Sequence, residues 1–239
     1  MNAEVMNKDL EEIYQQKYNH ELKDLIELNK TINDKDEKAT NPLLLKVNDE
    51  YAKADYKVMI FGQETNNWLG DIDEGIFCNR MKDVIDLYDE FYLTENCFSY
   101  GGQFWNGFSR FRELLNEKKK KEKVGYMWNN VVKIGSRTKG FPSQIYEPFI
   151  KNSFNKIIID ELNILKPDLI LFLSGPYYDE VLTDIFDEFE KNSIKGFTER
   201  QMCKINIKYG NASFRTYHPN YLWRNDINSY YESILKNIY

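Results

Sequence analysis

At 239 residues the chain is near the upper end of what one hydrophobic core supports, so a single domain is expected rather than two. No apolar run approaches the roughly 20 residues that span a bilayer, and the leading MNAEVMNKDLEEIYQQ has no apolar stretch of the secretory kind, so a soluble, cytoplasmic protein is expected rather than an exported one. A formal charge of -6 argues against a strong polyanion binder, so nucleic-acid contact would need a local patch; the three widely spaced cysteines Cys78, Cys97 and Cys203 argue against a disulfide framework, a zinc site or an iron–sulfur site.

In chain order, Leu10, Ile13, Tyr14, Tyr18, Leu22, Leu25 and Ile26 recur at helical spacing and predict an amphipathic outer helix within an N-terminal helical extension over about residues 1–55. The charge run at 33–38 reads as a solvated loop. Residues 57–62 form the first expected strand. Phe104, Phe108, Phe111, Leu114 and Leu115 mark a helix whose lysine-rich end, 117–123, favours the helix dipole; phosphate binding is the lesser reading of that run. A second strand is expected over 127–134. A helix follows on Phe154, Ile157, Ile158, Leu162 and Leu165, with Pro148 where a first-turn proline is tolerated and Lys166-Pro167 as its stop. The third strand, 168–174, is apolar almost throughout, as a strand covered on both faces should be.

Pro176 then opens a helix carried by Val181, Leu182, Ile185, Phe186 and Phe189. Residues 204–209 alternate with period two and meet Gly210-Asn211, so they are expected to pair antiparallel with a fourth strand at 212–217. Ile227, Tyr230, Tyr231, Ile234, Leu235 and Ile238 predict a closing helix. The alternation implies an α/β fold: a three-layer α/β/α sandwich around a mainly parallel four-stranded sheet with an added antiparallel edge strand.

Ligands of such sheets bind outside the carboxyl ends of the strands, and the most unusual clusters fall there. Gly62-Gln63-Glu64-Thr65-Asn66-Asn67-Trp68 offers an amide, a carboxylate, a hydroxyl and further amides as the chain leaves the first strand. It can position water or a polar ligand, or serve as a polar turn whose side chains cap backbone groups. His218 closes the fourth strand just before Pro219, which fixes the path of the loop. Glu64, Asn130 and His218 thus share one end of the sheet, whereas His20 lies in the first helical pattern and reads as a surface residue.

Four segments in this order resemble the uracil-DNA glycosylase superfamily, in particular its bacterial and archaeal branches related to the iron–sulfur-containing enzymes. They are Gly62-Gln63-Glu64, the Asn-Val-Val-Lys run at 130–133, the Lys-Pro-Asp-plus-apolar strand ending in Gly175, and Tyr-His-Pro-x-x-Leu at 217–222. The similarity covers about residues 57–224. It implies that DNA, single- or double-stranded, with a damaged or modified base is the partner, and that a flipped base is stacked, read at its polar edge and released as a stabilised anion. Gly62, Gln63, Phe77 and Asn130 are then base-binding, Phe77 as the stacking ring and Asn130 as the amide that reads the base edge. His218 donates a hydrogen bond to the departing base, and Glu64 orients the nucleophile or stabilises the cationic sugar. Tyr221 and Leu222 form the inserted wedge, with Arg224 near a phosphate.

The departures matter equally. Thr65 stands where the first motif has proline, Asn66 where one branch has the tyrosine that excludes thymine, and the cluster-ligating cysteines are missing, so no cofactor and no metal is expected. Asn66 leaves room for a bulkier base or positions water itself, and Asn67 and Trp68 line an altered pocket. The expected activity is that of a monomeric DNA glycosylase-like hydrolase, acting in uracil repair or on modified bases such as those of altered phage DNA. Two alternatives stay open: a fold relative that binds nucleotide, nucleic acid or protein without catalysis, and a hydrolase of small nucleosides or nucleotides.

Overall fold

The computed structural model describes residues 2–77, 80–138, 140–151 and 154–238; the side chains of residues 18–21 and of Phe77 lie outside that description. Helix α1 (Ala3–Thr31) and the short α2 (Asp49–Ala52) precede strand β1 (Tyr56–Gly62). After α3 (Arg80–Tyr88), α4 (Asn96–Tyr100) and α5 (Gln103–Lys118) comes β2 (Val124–Asn130). The chain continues through α6 (Ser143–Ile145), α7 (Ile157–Leu165), β3 (Leu169–Phe172), α8 (Asp179–Ile185), β4 (Glu190–Ser193), β5 (Met202–Asn206), β6 (Ala212–Thr216), α9 (Pro219–Leu222) and α10 (Ile227–Lys236).

The six-stranded sheet has the order β2-β1-β3-β6-β5-β4. The first four strands are mutually parallel, and β5 and β4 extend the sheet antiparallel. This is the expected three-layer α/β arrangement, and the segment that alternates in period two supplies β5. Successive strand residues point to opposite faces, so β2 separates the layers by itself. Tyr126 and Trp128 meet Phe108 and Trp105 of α5, whereas Asn129 meets Glu161 of α7. Helix α1 packs against α7, and α5 against α9 and α10.

Three expectations need correction. The second strand ends at Asn130 rather than running to Ile134, because Val131 and Val132 turn away to donate their amides to the carbonyls of Gly62 and Gln63. The helix after Pro176 stops at Ile185; Phe186 and Phe189 belong to the connection into β4, an exposed edge strand whose Glu-Lys-Asn-Ser sequence carries no apolar alternation. Pro148 sits inside the helical turn Tyr146–Ile150 rather than at a helix start. Within the N-terminal extension, Leu43, Leu44 and Leu45 are buried in the common core, and Tyr14 of α1 bonds both Glu161 and the Leu45 amide.

A buried polar cluster fixes the exit from β2. Lys133 Nζ lies 2.7 Å from Glu161 Oε1 and 2.9 Å from Asn129 Oδ1, and Asn129 Nδ2 donates to Glu161 Oε2 at 2.8 Å. Lys133 and Glu161 are fully buried. Burial pulls the Lys133 pKa down and the Glu161 charge opposes it. A second anchor holds β6: the buried Arg215 grips Asp179 at the start of α8 through Nε and Nη2, at 2.9 and 3.0 Å, and donates to the carbonyls of Arg200 and Glu199.

Candidate active site

The loop after β1 is laced to the loop after β2. Asn67 N donates to Ser136 O at 2.9 Å, beside a parallel bridge between Asn66 and Ser136. Gly135 makes this approach feasible, since a Cβ there would stand 1.9 Å from the Thr65 carbonyl oxygen. Gly62 does the same at the strand end: a Cβ would stand 2.6 Å from Asn130 Oδ1 and 3.1 Å from the Phe104 ring.

These strand ends enclose a cavity of about 300 Å³, lined by Gly62, Gln63, Glu64, Thr65, Asn66, Asn130 and His218 together with the rings of Trp68, Phe91, Tyr100, Phe104, Trp105 and Trp128. It lies at the small end of the range of about 300 to 1,000 Å³ for ligand sites. Trp105 and Trp128 meet edge to face at 5.0 Å, and Phe104 stacks against His218 at 6.0 Å and 25°. Most of these rings sit one helical turn or one strand repeat from a core residue, so sequence patterning assigns them to packing.

Asn130 carries the sharpest constraint. Indole is donor only, so Trp128 Nε1, 3.1 Å away, must face Oδ1 and thereby fixes the amide orientation. Nδ2 remains buried and without a partner, as do Trp68 Nε1 and Thr65 Oγ1 on the same lining. Buried polar atoms rarely stay unpaired, so these mark a place for ligand or water.

His218 is the N-cap of α9: its Nδ1 accepts from Asn220 N at 3.1 Å, which places the ring proton on Nε2. Burial lowers its pKa from 6.5 to about 4, so near neutrality it is an uncharged donor. Because the folded value lies below the unfolded one, the unfolded chain binds the extra proton between pH 6.5 and about 4. The contribution is complete above about 6.5 and is lost as pH falls through that window. Melting temperatures across pH 4–7 are expected to fall more steeply on acidification in the wild type than in His218→Asn, which keeps a capping acceptor without the titration; parallel curves would contradict this.

Glu64 is held at both oxygens, accepting from Gly140 N at 3.1 Å and from the Tyr178 hydroxyl. Burial raises its pKa, and the two hydrogen bonds oppose the rise. Tyr178 is a partner that no motif disclosed. Gln63 is similarly engaged, its Nε2 donating to Ser174 O at 2.8 Å, which braces β1 against the end of β3. Asn66 is exposed on the rim.

The remaining expected residues divide. Phe77 ends a short helical turn, but its side chain lies outside the described residues, so its stacking role is not placed. Leu222 is fully buried, and this corrects its reading as an inserted wedge: a side chain packed in the core is not available to enter a base stack. Tyr221 and Trp223 are the exposed members of that segment, and Arg224 lies exposed beside them with Nη2 3.0 Å from Asn220 Oδ1. His20 also falls outside the described side chains. Among the described residues no cluster of three or more His, Cys, Asp or Glu could hold a metal, and no helix is long and apolar enough to cross a membrane.

Fold and site together define an α/β protein with an aromatic cavity at the carboxyl edge of a largely parallel sheet, equipped with one oriented amide, one neutral imidazole and one carboxylate. No protein-family model matches the chain, and no curated protein matches it in sequence.

Proposed function

We propose that the protein is a DNA glycosylase-like hydrolase that takes an extruded base into this cavity and cleaves its N-glycosidic bond with water, leaving free base and an abasic sugar. The observation that carries the reading is the orphaned Asn130 Nδ2, held as a donor by Trp128 inside an aromatic box. Such a donor pairs with a base carbonyl and finds no match in an exocyclic amine. The rings supply stacking for a planar ligand.

As the glycosidic bond breaks, its electron pair goes to the base and positive charge develops on the sugar. His218 Nε2–H is a preorganised donor for the base anion, and its neutrality matters because no charge need be removed from water before the reaction. The Glu64 carboxylate stabilises the sugar cation, while Tyr178 and Gly140 fix its direction. Water adds to the sugar carbon and loses a proton to solvent or to Glu64.

The same clamp on Glu64 favours one competing reading, binding without catalysis, because neither carboxylate oxygen is free of a donor. Base release from single- and double-stranded oligonucleotides carrying uracil, hypoxanthine, xanthine or substituted cytosines, read as alkali-labile breaks, separates the two. Release from oxo-bases, lost in His218→Ala, is the expected result. Tight binding with no release from any substrate would sink the hydrolase and leave the binder.

A further inference from the structure

Four large aromatic side chains are well exposed among the described residues, Tyr100, Tyr177, Tyr221 and Trp223, at 78, 80, 39 and 42% of their full area. All of them gather at the cavity end of the molecule. Tyr100 lines the cavity, Tyr177 follows β3, and Tyr221 and Trp223 follow β6. Tyr177 and Tyr221 also belong to one continuous row. The Arg200 guanidinium lies 5.1 Å from the centre of the Tyr177 ring, with Nη2 3.0 Å from the Tyr177 hydroxyl, and it reaches Tyr217 as well. Tyr217 in turn lies against Tyr221, ring centres 4.0 Å apart at 31°. The residue after Tyr217 is His218, which lines the cavity, so the row passes beside the cavity at Tyr217.

We propose that the row Tyr177–Arg200–Tyr217–Tyr221 is a platform for single-stranded nucleic acid, on which nucleotides flanking the base in the cavity stack. Flat rings interleaved with a guanidinium suit unpaired bases, whose faces are free, and the arginine supplies both stacking and phosphate attraction. Duplex DNA offers no free base face, and of the expected Tyr221–Leu222 wedge only Tyr221 is exposed. The chain's net charge of -6 further disfavours binding by a continuous phosphate lattice alone. The inference deepens the glycosylase reading by naming the strand state of its substrate, yet binding to the row requires no base release.

The test is fluorescence anisotropy with a labelled oligothymidylate of about 12 nucleotides, and with a duplex of equal length, across a salt series. The single strand is expected to bind at least about 10-fold more tightly than the duplex. Tyr177→Ala and Tyr221→Ala should each weaken it about 5- to 100-fold, while Tyr177→Phe and Tyr221→Phe, which keep the ring, stay within about 2-fold. Arg200→Ala should lower the salt slope by about one. Both tyrosines are surface residues, and melting temperatures confirm the fold of each variant. Equal affinity of the alanine variants and the wild type, or tighter binding to duplex, overturns the platform. Base release that ignores these variants sinks the platform and spares the glycosylase; row-dependent binding without release from any substrate upholds the platform and sinks the glycosylase.

Discussion

Asn130→Asp is expected to cut the single-turnover rate of base release by about 100- to 1,000-fold near neutral pH, the usual effect of removing one preorganised donor from a developing anion. The substitution is nearly isosteric and still presents an oxygen to Trp128 Nε1, so the indole keeps its acceptor. What changes is the opposite pole: a donor with no protein partner becomes an acceptor facing the base carbonyl. Ionised, the new carboxylate repels that carbonyl; protonated, it can donate once. The deficit should therefore widen as pH rises from about 5.5 to 8.5. The control is Asn130→Ala, which also strands the Trp128 N–H at a cost of about 1 to 3 kcal/mol. A rate unchanged in Asn130→Asp, in a protein that melts like the wild type, would remove the amide from the chemistry.

The grouping of Glu64, Asn130 and His218 at one edge was legible because parallel topology puts successive strand ends on the same side, and β1, β2 and β6 each carry a polar residue just where apolar character stops. The aromatic lining was not. Phe104 and Trp105 begin a helix whose stripe continues through Phe108 and Phe111 into the core, and one-dimensional spacing cannot tell the last ring of a core stripe from the first ring of a cavity wall. Trp128 offered a usable signal, since residues two apart in a strand share a face and Asn130 was already singled out. The Tyr178 contact with Glu64 joins residues 114 positions apart, a pairing no local pattern encodes. Leu222 misled for a related reason. Resemblance supplies a residue's place in a motif, but burial depends on what packs against that turn, and here both α5 and α10 pack against α9. Strand β4 was missed because an exposed edge strand has no buried face to impose alternation.

Lys133→Met should produce the largest loss of stability, about 3 to 5 kcal/mol, because it leaves the Glu161 carboxylate buried without its counter-charge. Tyr14 and Asn129 still donate to that carboxylate and set the lower end of the range. Glu161→Gln should cost less. The ammonium left behind is already held below its ordinary pKa by burial and can shed its proton, and the amide retains an acceptor for Tyr14. The double variant Lys133→Met/Glu161→Gln, with no buried charge, should be more stable than Lys133→Met alone. Urea unfolding of the four proteins, with closely matching m values, measures all three differences. A Lys133→Met midpoint equal to that of the wild type would mean that the pair contributes nothing. The consequence reaches the cavity because Asn129 Oδ1 accepts at once from Lys133 Nζ and from the Asn130 amide, at 2.9 and 2.8 Å. Without the lysine, Asn129 keeps its bond to Glu161 but loses one of the two donors that orient Oδ1, so the hydrogen bond that fixes the Asn130 backbone is held less firmly. Base release by Lys133→Met, assayed well below its unfolding midpoint, should therefore fall as well, although Lys133 itself does not line the cavity.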